Sequence, residues 1–171
     1  MISRIVFIFI LSFLIHNSSS GQEEKYIGLF VYNFTKYFDW PETSKSGSFI
    51  IEVIGHQSVY DELVKITQGK AVGNQDIIVK YLKSVQEVGA NSHIVFLGHW
   101  QSRFIGELLG EVKQHPKLII SEMEGMLEKG SDINFVIREG TIKFEMKTSN
   151  VLSRQIKIDP RIRELAYRVI D

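Results

Sequence analysis

"YIGLFVYNFTKYFDWP", residues Tyr26–Pro41, is the stretch that decides how the fold begins. Its apolar residues recur every three or four positions, which predicts an amphipathic α-helix with one face on a core. Gly28 and Thr35 fall on the opposite, polar side. Trp40-Pro41 predicts the end of the helix, because the residue before a proline avoids the helical conformation. The predicted core face contains six side chains: Ile27, Phe30, Val31, Phe34, Tyr37 and Phe38.

Two apolar residues of this stretch do not fit the core face. Leu29 and Tyr32 project to the polar side, where an isolated monomer would expose them. Neighbouring exposed apolar side chains are typical of interface anchors, so both are predicted to bind a partner. Met126 and Leu127, in the loop "MEGMLEKGSD", form a second unexplained apolar pair and are predicted partner-binding residues as well. The alternative is a first helix that is buried on all sides.

The N-terminus has the three-part pattern of a secretory signal peptide. Arg4 supplies a positive charge, an apolar run of eleven residues extends from Ile5 to Ile15, and small residues follow. A membrane span needs about 20 apolar residues. We therefore predict a signal peptide at 1–20, cleaved near Gly21, with an uncleaved anchor as the alternative. The remaining chain, 21–171, is predicted to be one periplasmic domain without a membrane span.

The composition excludes several classes of function. Lys and Arg together number 20, as do Asp and Glu, and no basic stripe supports nucleic-acid binding. The chain has no cysteine, which excludes disulfides and thiolate metal sites. No histidine or carboxylate cluster has metal-ligand spacing, so we expect neither a metal nor a cofactor.

Short apolar runs alternate with helical patterns after the first helix, which predicts an α/β fold. The run "DINFVIREGTIKFEMK" predicts a β-hairpin that turns at Glu139-Gly140. "DPRIRELAYRVI" predicts a closing helix, with Asp159 as cap and Pro160 in the first turn. The predicted fold is a layered sandwich, in which helices flank a mixed, mostly parallel sheet with a C-terminal β-hairpin plus helix. Its other strands are predicted in four runs: "SFIIEVIG", "DIIVKYL", "SHIVFLG" and "KLIIS".

One short pattern occurs twice. "VIGHQSVYDEL" and "FLGHWQSRFIGEL" each place Gly-His after a strand and a serine before a helix. Parallel strands would bring both loops to one edge of the sheet, where open α/β folds bind ligands. His56, Ser58, His99 and Ser102 are therefore predicted ligand-binding residues, and the two imidazoles could hold an anion. The alternative is that the glycines permit tight turns and the histidines are solvated.

Catalytic signatures are absent from the sequence. It contains no Gly-x-Ser-x-Gly elbow, phosphate-binding loop or His-Glu-x-x-His helix. Glu122 and Glu124 flank Met123 without a partner in view, and His93 is expected to be a packed strand residue. We therefore predict that the protein is not an enzyme, with an uncharacterised hydrolase as the remote alternative.

Several blocks resemble the YfiR family of exported bacterial proteins across nearly the whole predicted mature chain. "YNFTKYFDWP", Tyr32–Pro41, is similar to the family's "YNFAKFxxWP" motif. "FIIEVIG" and "SHIVFL" are similar to two of its strands, and "KGSDINFVIREGTIKFEMK" to its C-terminal block. "IRELA", Ile162–Ala166, is similar to its closing "LxLA" motif.

The resemblance implies a periplasmic regulatory α/β domain. Proteins like YfiR bind the periplasmic part of a membrane-bound diguanylate cyclase and hold it inactive, and related domains occur beside sensor kinases. The sequence departs from the family pattern at Ser92, where cysteine is frequent, at Ser131-Asp132 in the Gly-Gly-Met block, and at Lys147. These changes put the identity of the partner in doubt more than the fold.

Two functions follow as expectations. The first is a non-enzymatic periplasmic regulator that binds a transmembrane signalling protein and represses or tunes it. The second is a small-molecule sensor that uses the edge formed by the Gly-His loops. The sequence leaves homodimerisation open.

Overall fold

The computed structural model describes residues 20–112 and 115–171 of the chain. Residues 1–19 of the predicted signal peptide lie outside the described residues. The helices are α1 (Ser20–Tyr37), α2 (Gln57–Thr67), α3 (Ile105–Val112), α4 (Thr148–Ser153) and α5 (Ile162–Leu165). The strands are β1 (Phe38–Asp39), β2 (Phe49–Ile54), β3 (Ala71–Val72), β4 (Gln75–Leu82), β5 (Ile94–Leu97), β6 (Leu118–Ser121), β7 (Ile133–Arg138), β8 (Thr141–Lys147), β9 (Lys157–Ile158) and β10 (Arg168–Ile170).

Eight of these strands form one mixed, mostly parallel sheet in the order β10-β8-β7-β6-β5-β2-β4-β3. The central strands β4, β2, β5, β6 and β7 are mutually parallel, whereas β7 and β8 form the predicted antiparallel hairpin. The remaining strands, β1 and β9, pair separately as a short antiparallel ribbon. The predicted α/β fold class is confirmed.

Strand β5 is apolar and buried at every position because both faces of the sheet are covered, as is usual for parallel strands. Phe96 of β5 packs into a core that includes residues of α1 and α2. Its neighbour Leu97 points to the opposite face and packs into a second core with Leu108 of α3. The alternation of side chains along each strand thus builds two cores from one run of apolar residues.

The first helix is more deeply embedded than its pattern predicts. Phe34 is fully buried, as expected, but Gly28 and Thr35 on the predicted polar side are buried too. A Cβ atom at Gly28 would lie 3.3 Å from Ile66 Cδ1 of α2, so the glycine allows the two helices to approach closely. The Thr35 hydroxyl is satisfied within the helix, where it donates to the Tyr32 carbonyl at 2.7 Å. The expectation of a polar side fails at Gly28 because α2 covers it.

The C-terminus differs from the predicted closing helix. Helix α5 ends at Leu165, and the chain then continues as strand β10, parallel to β8. The Tyr167 N–H donates to the Phe144 carbonyl at 2.8 Å, just before this strand begins. Strand β8 would otherwise be an unpaired edge, and pairing its free backbone groups outweighs the local helical pattern.

The loop before β7 is anchored by buried polar groups. The Asp132 carboxylate accepts from the Ile119 N–H at 2.6 Å and forms an ion pair with Arg154. The Ser131 hydroxyl donates to the Ile133 carbonyl at 2.7 Å and accepts from Ser121 at 2.8 Å. The two residues that depart from the family pattern, Ser131 and Asp132, thus hold this loop against the sheet.

A buried lysine organises the loop before β5. Lys117 is 1% exposed, and its ammonium group donates to the carbonyls of Gly89, Ala90 and Ser92. Burial lowers the pKa of Lys117 to about 8, while the nearby Glu52 carboxylate opposes this shift. The Ser92 hydroxyl closes the same loop by donating to the Gly89 carbonyl at 3.0 Å. These contacts account for Ser92 as a structural residue of the loop.

Candidate functional site

The two Gly-His loops meet because β2 and β5 are adjacent and parallel. Gly55 has a φ of 71°, which favours glycine. Gly98 is needed for a different reason: a Cβ atom there would lie 2.8 Å from the Gly55 carbonyl oxygen and 3.0 Å from His56 Cβ. The repeated glycines therefore allow the two loops to pack directly against each other.

Both histidines line one pocket of about 320 Å³ at this edge of the sheet. Such a volume is at the small end of ligand pockets, which range from roughly 300 to 1,000 Å³. The walls come from the start of α1, the two Gly-His loops, the loop after β6 and the β7–β8 hairpin. The lining residues are Glu23, Glu24, Ile27, His56, His99, Glu122, Glu124, Phe135, Val136, Ile137, Arg138 and Ile142.

Glu122 is the most unusual group in this pocket. Its side chain is 10% exposed, and its Oε2 atom is buried without a donor among the described residues. Burial raises the pKa of Glu122 to about 8. The His99 main-chain amide opposes this shift, whereas the charge of Glu24 adds to it. At neutral pH the Glu122 carboxyl group is therefore predominantly protonated.

His56 faces Glu122 but does not form a conventional ion pair with it. The His56 Nε2 atom lies 3.6 Å from Glu122 Oε1, which is too long for a hydrogen bond. Burial lowers the pKa of His56, and Glu24 only partly opposes the shift. Although the distance is within the range of an ion pair, the pKa shifts of both groups favour their neutral forms. We therefore treat His56 and Glu122 as a neutral pair.

His99 is oriented by the loop after β6. Its Nδ1 atom lies 3.2 Å from the Glu122 main-chain carbonyl, which can only accept, so Nδ1 carries the proton. The ring packs edge-to-face against Trp100 at a centroid distance of 5.1 Å. Trp100 is 74% exposed and marks the outer rim of this edge.

The other charges of the pocket make it acidic. Glu24 has an Oε2 atom that, like that of Glu122, is buried without a donor among the described residues. Arg138 is already engaged, at 3.2 Å from Glu124 and 3.8 Å from Glu145. This arrangement does not favour the anion that the two imidazoles were expected to hold.

The two serines predicted to join the histidines do not line the pocket. Ser58 is exposed on α2. Ser102 is fully buried, and its hydroxyl accepts from the Glu122 N–H at 3.1 Å and lies 3.1 Å from the Leu97 carbonyl. Ser102 therefore positions the loop that carries Glu122, and a direct ligand contact by Ser102 does not fit its burial.

Of the four predicted partner-binding residues, two are at least partly exposed and two are buried. Leu29 is 44% exposed on the outer side of α1. Tyr32 is half-buried, with Lys36 Nζ at 4.6 Å and Lys70 Nζ at 4.2 Å from its ring centroid. Met126 and Leu127 are each 1% exposed, so the expectation that they form a surface pair is wrong. Their loop folds back onto the protein, and Met126 packs into the core beneath α3.

Sequence reasoning missed the two acidic residues that give the pocket its character, Glu24 and Glu122. Glu122 was noted without a partner, and no local pattern marks Glu24. In the part of the chain that the structure describes, no group of three or more potential ligands could hold a metal ion. Among the helices described, none has the length and apolar content required to cross a membrane.

A family model described as YfiR/HmsC-like matches residues 26–167. The chain belongs to the YfiR/HmsC-like family. Membership indicates a periplasmic regulator of cyclic-di-GMP signalling that interacts with a membrane signalling protein. No curated protein matches the sequence closely enough to count as a relative. The YfiR/HmsC-like match covers α1 from Tyr26 onward, both Gly-His loops, Glu122 and the hairpin, whereas Glu23 and Glu24 of the pocket lie just before it.

Proposed function

We propose that this protein is a non-enzymatic periplasmic regulator that binds a transmembrane diguanylate cyclase or sensor kinase and represses it. The observation that carries the proposal is the family match over residues 26–167. The proposal includes a cleaved signal peptide at 1–20, since export would bring the domain to the periplasmic part of such a partner. Sequencing of the exported protein should then give an N-terminus near Gly21, and retention of Met1 would favour a tethered form.

Leu29 is the residue that we place in the contact with the partner. A leucine that remains 44% exposed, on a helix whose other side packs on α2 and the sheet, is available to a second protein. A few residues near the centre of an interface contribute most of its binding energy. Tyr32 lies one turn further along α1 and extends this surface beneath its two lysines.

The test measures cyclic-di-GMP in cells that lack the protein and in cells complemented with variants. Deletion should raise cyclic-di-GMP, and the wild-type protein should restore it. Leu29→Asp should fold and be exported but fail to restore it. Leu152→Asp is the matched control, because Leu152 is also exposed, at 58%, but lies on α4. Crosslinked capture from the native membrane should recover a diguanylate cyclase or kinase with wild-type protein and lose it with Leu29→Asp.

A second candidate function is favoured by the pocket between the Gly-His loops. Two imidazoles and two carboxyl oxygens without donors among the described residues, in one concave site, are what a binding pocket for a small molecule needs. In this function the protein senses a periplasmic ligand, and the ligand adjusts the regulation of the same partner. A rise in melting temperature with ligand and without partner would support it.

A further inference from the structure

The pocket contains an unusual pair of hydrogen-bond acceptors. Glu122 Oε2 and Glu24 Oε2 are both buried, and neither has a donor among the described residues. Both residues line the same pocket, although they come from α1 and from the loop after β6. A buried polar atom without a partner is costly, and in native proteins it is rare enough to need an explanation.

Part of the pocket wall is apolar. Ile27 of α1, Phe135 of β7 and Ile142 of β8 contribute hydrocarbon surface to its walls. Ile27 and Phe135 belong to the main core and are 4% and 2% exposed, so this part of the wall is rigid. A matching ligand would combine hydrogen-bond donors at one end with an apolar body at the other.

We propose that this pocket binds a small organic cation, in which a primary ammonium group lies between Glu24 and Glu122 and an apolar body packs on Ile27, Phe135 and Ile142. This inference deepens the second proposed function, on which it rests, by naming the chemical class of the ligand. An ammonium group has three donors and no acceptor, so it can satisfy both carboxyl oxygens at once. An anion would instead face acidic groups, with Arg138 already paired to Glu124.

Binding should release a proton. The free pocket holds Glu122 as a neutral acid, and an ammonium group that binds beside it stabilises the carboxylate. The O–H bond of Glu122 then breaks, its proton passes to solvent, and the ammonium group remains protonated. The groups facing Glu122 are Glu24 and Glu23 from α1, His56 and His99 from the two Gly-His loops, and Glu124 and Arg138 at the rim.

The first experiment is titration calorimetry of the purified protein with hexylamine, hexanol and hexanoate at pH 7. The three probes share a hexyl body and differ in the charge of the head group. Hydrogen bonds to a charged group are stronger than those to a neutral one, so hexylamine should bind at least about tenfold more tightly than hexanol. Hexanoate should bind more weakly than hexanol. Equal or tighter binding of hexanol or hexanoate would overturn the proposal.

The second experiment uses matched variants. Glu122→Gln and Glu24→Gln keep the shape of each side chain, and each should weaken hexylamine binding by about tenfold or more. Glu128→Gln is the control, because Glu128 is exposed on the same loop as Glu122 and does not line the pocket. This control should bind hexylamine as the wild type does. Circular dichroism and hexanol binding, which should persist in every variant, establish that each has folded.

Proton release gives an independent measurement. Titrations at pH 7 in buffers of different ionisation enthalpy should report the release of about one proton per hexylamine with wild-type protein and none with Glu122→Gln. Absence of proton release from the wild type, or hexylamine affinity unchanged in Glu122→Gln, would overturn the inference. Loss of repression in cells with amine binding intact would instead count against the regulatory function, so the two failures are distinguishable.

Discussion

Glu122 shows how a single side chain can make the stability of the protein depend on pH. Burial raises its pKa from 4.5 to about 8 in the folded protein. Between these values the unfolded chain loses a proton that the folded protein keeps, so the folded state is favoured at low pH. The stabilisation is complete below about pH 4.5 and is lost as the pH rises towards 8.

Glu122→Gln should therefore flatten the pH profile of unfolding. Glutamine cannot ionise, so the variant should gain stability relative to the wild type between pH 5 and pH 7.5, on the order of 1–3 kcal/mol. Urea unfolding of the variant and the wild type at pH 5 and at pH 7.5 measures this difference in the free energy of unfolding. The raised pKa of Asp132 and the lowered pKa of His56 affect both proteins and largely cancel in the comparison. Parallel profiles of variant and wild type would show that Glu122 is ionised in the folded protein.

Gly98 allows the two Gly-His loops to pack closely. Gly98→Ala should destabilise the protein by about 1–3 kcal/mol, the range for overpacking, because the new methyl group would meet the Gly55 carbonyl at 2.8 Å. Gly110→Ala is the control, since nothing lies within 4 Å of its Cβ position on α3. The control should gain about 0.5–1 kcal/mol from helix propensity. Denaturant unfolding distinguishes the two, and equal stability of both variants would contradict the packing argument.

Helix α1 is the element on which the main core depends. Phe34 is fully buried, and its ring contacts Phe144 edge-to-face at a centroid distance of 5.2 Å and Phe38 at 5.9 Å. Phe34→Ala should lower the free energy of unfolding by about 3–5 kcal/mol, much of a typical domain's 5–15 kcal/mol. Thermal and urea unfolding measure the loss.

The outer side of the same helix gives the control for this experiment. Leu29→Asp should leave the free energy of unfolding nearly unchanged, because Leu29 is already exposed. Tyr32→Ala should cost somewhat more, about 0.5–1 kcal/mol, because it removes the ring between Lys36 and Lys70. If Leu29→Asp unfolds the protein as Phe34→Ala does, the surface assigned to the partner is wrong.

The elements that the sequence predicted best are those whose signal is local. Strand β5 and the β7–β8 hairpin follow from a continuous apolar run and from alternation around Glu139-Gly140, and the first helix follows from its periodicity. Strand β10 could not be predicted in this way, because "RVI" becomes a strand only when the edge of β8 is there to pair with it. The burial of Gly28 likewise depends on α2, which lies about thirty residues further along the chain.

The pocket was predictable only in part for the same reason. The repeated Gly-His pattern brought His56 and His99 to one edge, because parallel neighbouring strands end on the same side. No local sequence pattern identifies Glu122 as a pocket residue. Its burial arises when the loop after β6 is held against Ser102, beside Glu24, which lies nearly a hundred residues earlier in the chain. Met126 and Leu127 were predicted at the surface because the charged residues around them are typical of an exposed loop. The loop instead folds inward and buries both side chains.

At the scale of the whole molecule, α1 connects the pocket to the proposed partner surface. Its first turns carry Glu24 into the pocket, and Leu29 lies on the outer side just over one turn later. A ligand that engages Glu24 therefore acts on the same rigid element that the partner would contact. Linkage requires that if ligand binding changes the affinity for the partner, partner binding changes the affinity for the ligand by the same factor.

This arrangement predicts that the two sites can be impaired separately although they share a helix. Leu29→Asp should keep the wild-type affinity for hexylamine, because Leu29 does not line the pocket, yet should lose capture of the membrane partner and repression in cells. Glu122→Gln should do the reverse, retaining capture and repression while losing hexylamine binding and any response of cyclic-di-GMP to added hexylamine. Calorimetry measures hexylamine binding by the two variants. Crosslinked capture and cyclic-di-GMP measurements report their partner binding and their repression in cells. Loss of both properties in either variant would mean that pocket and partner surface are one site, and Glu24 would then be the residue on α1 at which to look for the partner.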